Sequence, residues 1–196
     1  FFPINHLEGH ALSPSIENKI SFPYLLLLVS GGHSQYLIVK GVNNYKQIGT
    51  TIDDAVGEAF DKTAKILNLG YPGGPNVEKF SKLGIKDSFI LPQPIINRAG
   101  CNLSMAGLKT DVLRKSKNLK SNKERYNLAA SFQETVNKIL KKKTEEAMKQ
   151  FRNEITGKSL KYFVVAGGVA SNETIRKGLK EVSLKMNFKP IFPSKE

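Results

Sequence analysis

The longest apolar run in the chain is YLLLLV, residues 24–29. Four consecutive leucines leave no polar alternate positions, so the run predicts a strand buried on both faces. SGGH and then SQYLIVK follow, which predicts a second strand across a glycine turn, hence a hairpin. The spacing becomes helical over GTTIDDAVGEAFDKTAKILNLG, 49–70. Thr51 is the expected N-cap, with Asp54 three residues on, and Gly70 the expected stop. YPGGP, 71–75, sets two glycines between prolines and predicts a loop. NVEKFSKLG then reads as a short helix, and residues 85–104 as irregular, proline-bearing chain. KTDVLRK starts helical and fades into a polar connector. NLAASFQETVNKILKKKTEEAMKQF, 127–151, is a long amphipathic helix. KYFVVAGGVASNETIRKGLKEVSLKM reads as strand, glycine turn and helix, and KPIFP opens a last strand. Residues 1–22 predict a helix bearing HLEGH, then a polar turn.

Strands and helices alternate, and two apolar strands run directly into glycine turns, so the expected class is α/β. The chain starts in an apolar run without Met and stops just after a strand begins, so an internal piece of a longer protein is expected. Its 196 residues suffice for one large domain or two small ones. No apolar run approaches the roughly 20 residues of a membrane span. The first residues lack the features of a secretory signal. A single cysteine, Cys101, excludes an internal disulfide framework and fits a reducing compartment.

The formal net charge of +13, with a pI near 9.7, favours anionic partners, nucleic acid first. Most of the excess is lysine, which compositional bias also produces. The basic stretch from Lys109 to Arg125 can meet a phosphate backbone. LKKKTEEAMK carries Glu145 and Glu146 nearby and fits a solvated helix face. Aromatic residues interleave with neither, so base stacking is not indicated.

His6 and His10 are four apart, which on a helix puts both imidazoles on one face within reach of one metal ion. Glu8 lies ~200° round the helix from His6. Leu7 occupies the place where an H-E-x-x-H protease carries its base. Two histidines are an incomplete ligand set, and two ordinary polar residues on a helix face remain the alternative. Ser30-Gly31-Gly32-His33 can bring backbone N–H groups close to an anionic ligand, or be a plain hairpin turn. Gly167-Gly168, before Asn172 at a helix start, suits a phosphate or ribose-bearing ligand, or is a normal strand-to-helix turn. It is neither a G-x-G-x-x-G fingerprint nor a P-loop. Asp54, Glu58 and Asp61 share a helix face, flanked by Lys62 and Lys65. That face is either solvated or aimed at a cleft, where Asp61 could bind ligand hydroxyls. YPGGP could lie under a flat ligand or simply connect.

HLEGH, LVSGGHSQ, IDDAVGEAFDKTAK, YPGGP, SMAGLKT, AASFQ and GGVASN, in this order, resemble the tRNA threonylcarbamoyladenosine transferase family, essentially from end to end. The resemblance implies the actin-like, sugar-kinase and Hsp70-type ATPase fold. It would be present here in part: residues 1–22 as the end of an N-terminal lobe with the histidine helix, and 23–196 as most of a C-terminal nucleotide and substrate lobe. It implies transfer of a threonylcarbamoyl group from threonylcarbamoyl-AMP to N6 of the adenosine 3′ of the anticodon, in tRNAs reading ANN codons, with release of AMP. His6 and His10 would ligate one divalent metal, typically Fe2+, with Zn2+ the other candidate. The third ligand, an Asp, would lie beyond the C-terminus. Leu28, Val29, Ser30, Gly31 and Gly32 match the substrate loop. Asp61 matches the aspartate used on the ribose hydroxyls, Gly74 the substrate glycine, and Asn172 the asparagine at the nucleotide. His33 is a minor candidate, and no catalytic residue is assigned.

The implied partners are tRNA, threonylcarbamoyl-AMP and two proteins, a dimerising paralogue and a small ATPase. No membrane is involved, and the location is the bacterial cytoplasm, with an organellar homologue as the alternative. The 196 residues alone are expected to be inactive. The competing activities are a metallopeptidase, a small-molecule kinase of the same fold, and a non-catalytic binding module.

Overall fold

The computed structural model describes residue 9, residues 20–157 and residues 160–193. Strands β1 (Tyr24–Val29), β2 (Ser34–Gly41), β3 (Asn44–Thr50), β4 (Tyr162–Ala166) and β5 (Lys189–Ile191) form one mixed sheet in the order β3-β2-β1-β4-β5. β1–β2 and β2–β3 pair antiparallel, β1–β4 and β4–β5 parallel. β1 is therefore central, and all six of its residues are fully buried. The strand alternation splits them. Leu25, Leu27 and Val29 join Tyr36, Ile38, Phe163 and Val165 in the main core. Tyr24, Leu26 and Leu28 pack with Ile20, Leu37, Val39, Val164 and Ala166 on the opposite face. The run of leucines has the two buried faces it predicted.

Helices α1 (Val56–Ile66), α2 (Gly73–Ser81), α3 (Ala106–Ser116), α4 (Asn122–Glu154) and α5 (Glu173–Lys185) all send apolar side chains into the main core. α4 carries it. Leu128, Phe132, Val136, Ile139, Leu140, Ala147 and Phe151 recur at helical spacing and are buried. Ser121 begins this helix as a capping box, its hydroxyl accepting from Glu124 N at 3.2 Å. Two polar contacts fix α4 against its surroundings. Tyr36 from β2 meets Thr144 Oγ1 at 2.9 Å inside the core. Buried Lys143 donates to the carbonyls of Arg98 and Gly100, at 2.7 and 3.1 Å, and so pins the irregular segment.

Five expectations shift. β3 was not foreseen, because it is an edge strand whose residues are mostly exposed and carry little hydrophobic pattern. The helix expected from residue 49 begins at Val56, with Ala55 rather than Thr51 as N-cap. Thr51 instead bridges to Leu103, and its hydroxyl donates to Asp54 O at 2.7 Å. That helix ends at Ile66, before Gly70, and Asn68 takes a left-handed φ of 54°. α2 begins within YPGGP, at Gly73, with Pro72 as N-cap. Pro75 then falls in the first helical turn, where the N–H it lacks has no intrahelical partner to lose. α4 starts at Asn122, five residues before the expected 127. His6 and His10 lie outside the described residues, as does the helix expected over 1–22 apart from residue 9 and residues 20–22, and 20–22 are not helical.

Candidate functional site

β1 and β4 are parallel neighbours, with Leu28 in register with Ala166, so both glycine turns leave the sheet side by side. They are packed together by absent side chains. Gly167 has φ of +97°, and a Cβ there would lie 2.3 Å from Val29 O. From the other side Gly57, in the first turn of α1, donates its N–H to Ser30 O at 3.1 Å, and a Cβ would meet that oxygen at 2.5 Å. The Ser30-Gly31 backbone is thus held between two glycines. Within the turn, Ser30 N donates to His33 O at 2.8 Å and His33 N to Ser30 Oγ at 3.1 Å. The N–H groups of Gly31 and Gly32 make no hydrogen bond among the described residues, and both glycines face open space.

A cavity of about 260 Å³ lies at this junction. Gly31 forms one wall, Gly57, Phe60 and Asp61 of α1 another, Gly74, Pro75 and Glu78 of α2 a third, and Gly168, Val169, Ser171 and Asn172 the last. Four expected site residues, Gly31, Asp61, Gly74 and Asn172, therefore converge from four separate motifs. Gly32 and Ser30 belong to the same turn. Leu28 and Val29 end β1 with no exposed surface, just before the turn, and are not among the residues that line the cavity. His33 is exposed beyond the lining.

Asp54, Glu58 and Asp61 do not share one helix face as expected: Asp54 lies before α1, because the helix starts only at Val56, and the three carboxylates differ in their partners. Lys62 pairs with Asp54 at 2.9 Å and with Glu58 at 2.7 Å, and Lys109 pairs with Asp54 at 2.5 Å. Burial pushes the Asp54 carboxyl up, but hydrogen bonds from Lys109 and Lys62 outweigh it and hold the group below its ordinary range. Asp53 accepts from Met105 N at 2.7 Å and Ala106 N at 3.2 Å, and from the Ser104 hydroxyl, so it caps α3. These contacts join the IDD and SMAGLK motifs. Asp61 makes no ion pair or hydrogen bond among the described residues, and is exposed at the cavity wall. It sits against the bare Cα of Gly73, where a Cβ would come within 2.5 Å of Asp61 Oδ1.

Asn172 is 7% exposed, and both polar atoms of its side chain are hydrogen-bonded. Oδ1 accepts from Ile175 N at 3.1 Å and caps α5, while Nδ2 donates to Gln133 Oε1 at 2.8 Å. Gln133 in turn donates to Thr174 Oγ1 at 3.0 Å. AASFQ and GGVASN are therefore two halves of one buried contact. Gly57, Gly73 and Gln133 were not expected at the site. A glycine inside a helical pattern, as at Gly57, is the signal that marked a close backbone approach. Gln133 carried none, being one polar residue on a long amphipathic helix.

Among the described residues no group of three or more His, Cys, Asp or Glu side chains could hold a metal ion. His6 and His10, the expected metal ligands, lie outside them.

Two solved structures share the fold. The activator of the 2-hydroxyisocaproyl-CoA dehydratase from Clostridium difficile, with bound ADPNP, covers 97% of this chain and 60% of its own at TM-score 0.52 and 17% identity. Component A of the (R)-2-hydroxyglutaryl-CoA dehydratase from Acidaminococcus fermentans covers 95% and 61% at TM-score 0.50 and 18% identity. Sequence relatives are nearer. The tRNA N6-adenosine threonylcarbamoyltransferase of Pelagibacter ubique (strain HTCC1062) is 54% identical over 193 residues, 98% of this chain and 54% of that protein. Its namesake from Rickettsia rickettsii (strain Sheila Smith) is 47% identical over 195 residues, 98% and 57%. The chain thus spans little more than half the length of these curated relatives. The family model described as TsaD, tRNA N6-adenosine threonylcarbamoyltransferase, matches residues 1–196, and the chain belongs to that family.

Proposed function

We propose that the full-length protein transfers a threonylcarbamoyl group from threonylcarbamoyl-AMP to N6 of the adenosine 3′ of the anticodon, in tRNAs reading ANN codons, and releases AMP. The convergence of Gly31, Asp61, Gly74 and Asn172 on one cavity carries this assignment, together with membership of the family. The finer architecture proposed is the actin-like ATPase fold, with residues 23–196 as most of its C-terminal lobe and residues 1–22 as the end of the N-terminal one.

The chemistry follows from the parts. The N6 amine attacks the carbamoyl carbonyl carbon, the bond from that carbon to the phosphate oxygen breaks with its electron pair leaving on AMP, and the proton lost by the amine passes to solvent water. AMP is a good leaving group, so holding the two reactants in line supplies most of the acceleration. In this proposal the unpartnered Asp61 carboxylate accepts from the ribose hydroxyls. The free N–H groups of Gly31 and Gly32 donate to the phosphate or to the oxygen that gains charge at the carbonyl. Gly74 leaves space for the nucleotide against α2. Asn172 acts on the site through position: its cap and its bond to Gln133 fix the second glycine turn.

His6 and His10 are proposed as ligands of one divalent ion, iron or zinc, since imidazole suits both. Such an ion would polarise the carbonyl or hold the phosphate as a Lewis acid. The proposed partners are tRNA, a dimerising paralogue and a small ATPase, and the proposed location is the cytoplasm. No described helix is long and apolar enough to cross a membrane. The net charge of +13 suits a tRNA substrate.

The test incubates the full-length protein and its partner proteins with threonylcarbamoyl-AMP and two tRNA transcripts. One carries adenosine 3′ of the anticodon and the other guanosine. Nucleoside mass spectrometry should find the modified adenosine in the first alone. Absence of product from both, with metal and partners supplied, would refute the assignment.

A further inference from the structure

A second groove, of about 440 Å³, lies between the end of α2, the outer side of α4 and the face of α5. It is separate from the first cavity, which lies across the wall made by Asn172, Gln133 and Thr174. Its volume is in the ordinary range of small-ligand sites, roughly 300–1,000 Å³. Lys82, Lys86, Lys141 and Lys177 line it. Lys82 and Lys141 are paired, with Glu173 and Glu181, but Lys86 and Lys177 make no ion pair among the described residues.

Two buried polar side chains in the lining lack partners. Ser81 and Asn137 are each 7% exposed, and among the described residues neither Ser81 Oγ nor Asn137 Oδ1 has a hydrogen-bond partner. Such atoms are rare inside folded proteins and cost stability when left unpaired. Asn137 Oδ1 is seated against Gly178, where a Cβ would lie 2.1 Å from it, so the bare Cα of Gly178 makes room for this amide. Glu181, paired with Lys141, and Glu134, with no ion pair among the described residues, also line the groove, so Lys86 and Lys177 exceed Glu134 by one charge. The groove therefore combines a small excess of positive charge, a hydroxyl donor and a carbonyl-type acceptor.

We propose that this groove binds a ribose-phosphate unit. The phosphate takes Lys86 and Lys177 and receives a hydrogen bond from the Ser81 hydroxyl. A ribose hydroxyl donates to Asn137 Oδ1. Both orphaned atoms are buried as they stand, so in this proposal Ser81 must turn about χ1 and Asn137 about χ2 to meet the ligand. Nucleotides and the backbone of an RNA strand share this chemistry.

The experiment titrates the full-length protein with two probes, ribose 5-phosphate and a uridine hexanucleotide, by calorimetry. The wild type is compared with Lys86→Ala/Lys177→Ala and with Ser81→Ala. Both lysines are exposed and neither lines the first cavity, so the double variant should fold normally. Loss of two charge-assisted contacts should weaken binding at least about tenfold, and loss of the hydroxyl by somewhat less. Weakened binding of ribose 5-phosphate identifies a free nucleotide as the source. Weakened binding of the hexanucleotide, with ribose 5-phosphate inert, identifies an RNA strand. Binding of either probe that the lysine variant leaves unchanged, or no binding of both in the millimolar range, overturns the proposal.

Discussion

Asn172 and Gln133 share one hydrogen bond, Nδ2 to Oε1 at 2.8 Å, across 39 positions of sequence. It closes the gap between the helix that carries the core and the turn that forms one wall of the cavity. The same asparagine caps α5.

Asn172→Ala should therefore cost stability twice. Loss of the cap costs about 1 kcal/mol. Leaving Gln133 Oε1 buried without its donor costs about 1–3 kcal/mol more. Asn172→Asp keeps the capping acceptor, and Gln133 can turn its amide to donate to the carboxylate, so its loss should be smaller. Urea denaturation of the three proteins checks the order. Equal loss in both variants would mean that the Gln133 contact, not the cap, dominates.

Gly73 and Gly74 are adjacent and should fail in different ways. A Cβ on Gly73 runs into Asp61, whereas one on Gly74 has nothing within 4 Å among the described residues. Gly73→Ala should destabilise by about 1–3 kcal/mol, the range for forcing a methyl into a packed site. Gly74→Ala should leave the melting temperature unchanged and raise KM for the adenylate, because its methyl enters the cavity. Thermal melts and steady-state kinetics on both variants separate the two effects.

Asp61→Asn should lower kcat/KM by one to two orders of magnitude, as loss of charge-assisted contacts to ligand would, at about 1.5–3 kcal/mol. It should hardly change stability, since Asp61 has no ion pair or hydrogen bond to lose among the described residues. A large drop in melting temperature would instead assign Asp61 a structural role.

Asp54 sets an acid-sensitive contact. Its carboxyl is held below the ordinary 3.8 in the folded chain by Lys109 and Lys62, against the opposing pull of burial. A carboxylate lowered in this way stabilises the fold above its unfolded value, and that contribution is lost as pH falls through the folded one. Stability should thus decline on acidification below about 4. Asp54→Asn should be less stable at neutral pH and show a shallower acid decline. Denaturation midpoints measured from pH 7 down to pH 3 test this.

Lys143 ties the irregular segment to α4. Lys143→Met keeps the length of the side chain but leaves the carbonyls of Arg98 and Gly100 without their donor. A loss of about 1.5–3 kcal/mol is expected, the worth of hydrogen bonds to a charged group. Amide hydrogen exchange should accelerate in residues 96–103 more than in β1.

The sequence by itself determined what local pattern can carry. The leucine run dictated a central strand with two buried faces, because no polar residue offers it a solvent side. The spacing of apolar residues dictated α4 and α5, and the two glycine turns after apolar strands were legible as turns. It did not reveal β3, whose few apolar residues give an edge strand little pattern, nor the start of α2 inside YPGGP. There the local breakers proved compatible with a first helical turn. Only the tertiary structure decided how the acidic residues of IDDAVGEAFD divide. Asp53 and Asp54 are taken by Ser104, Met105, Ala106 and Lys109, some 50 residues away, which leaves Asp61 for the cavity. It likewise decided that Asn172 is spent on a cap and on Gln133, and that Gly73, not Gly74, bears on Asp61. The reason is physical: hydrophobic period and turn chemistry act within a few residues, whereas ion pairs, caps and close glycine contacts depend on which chain segments the packed sheet brings together.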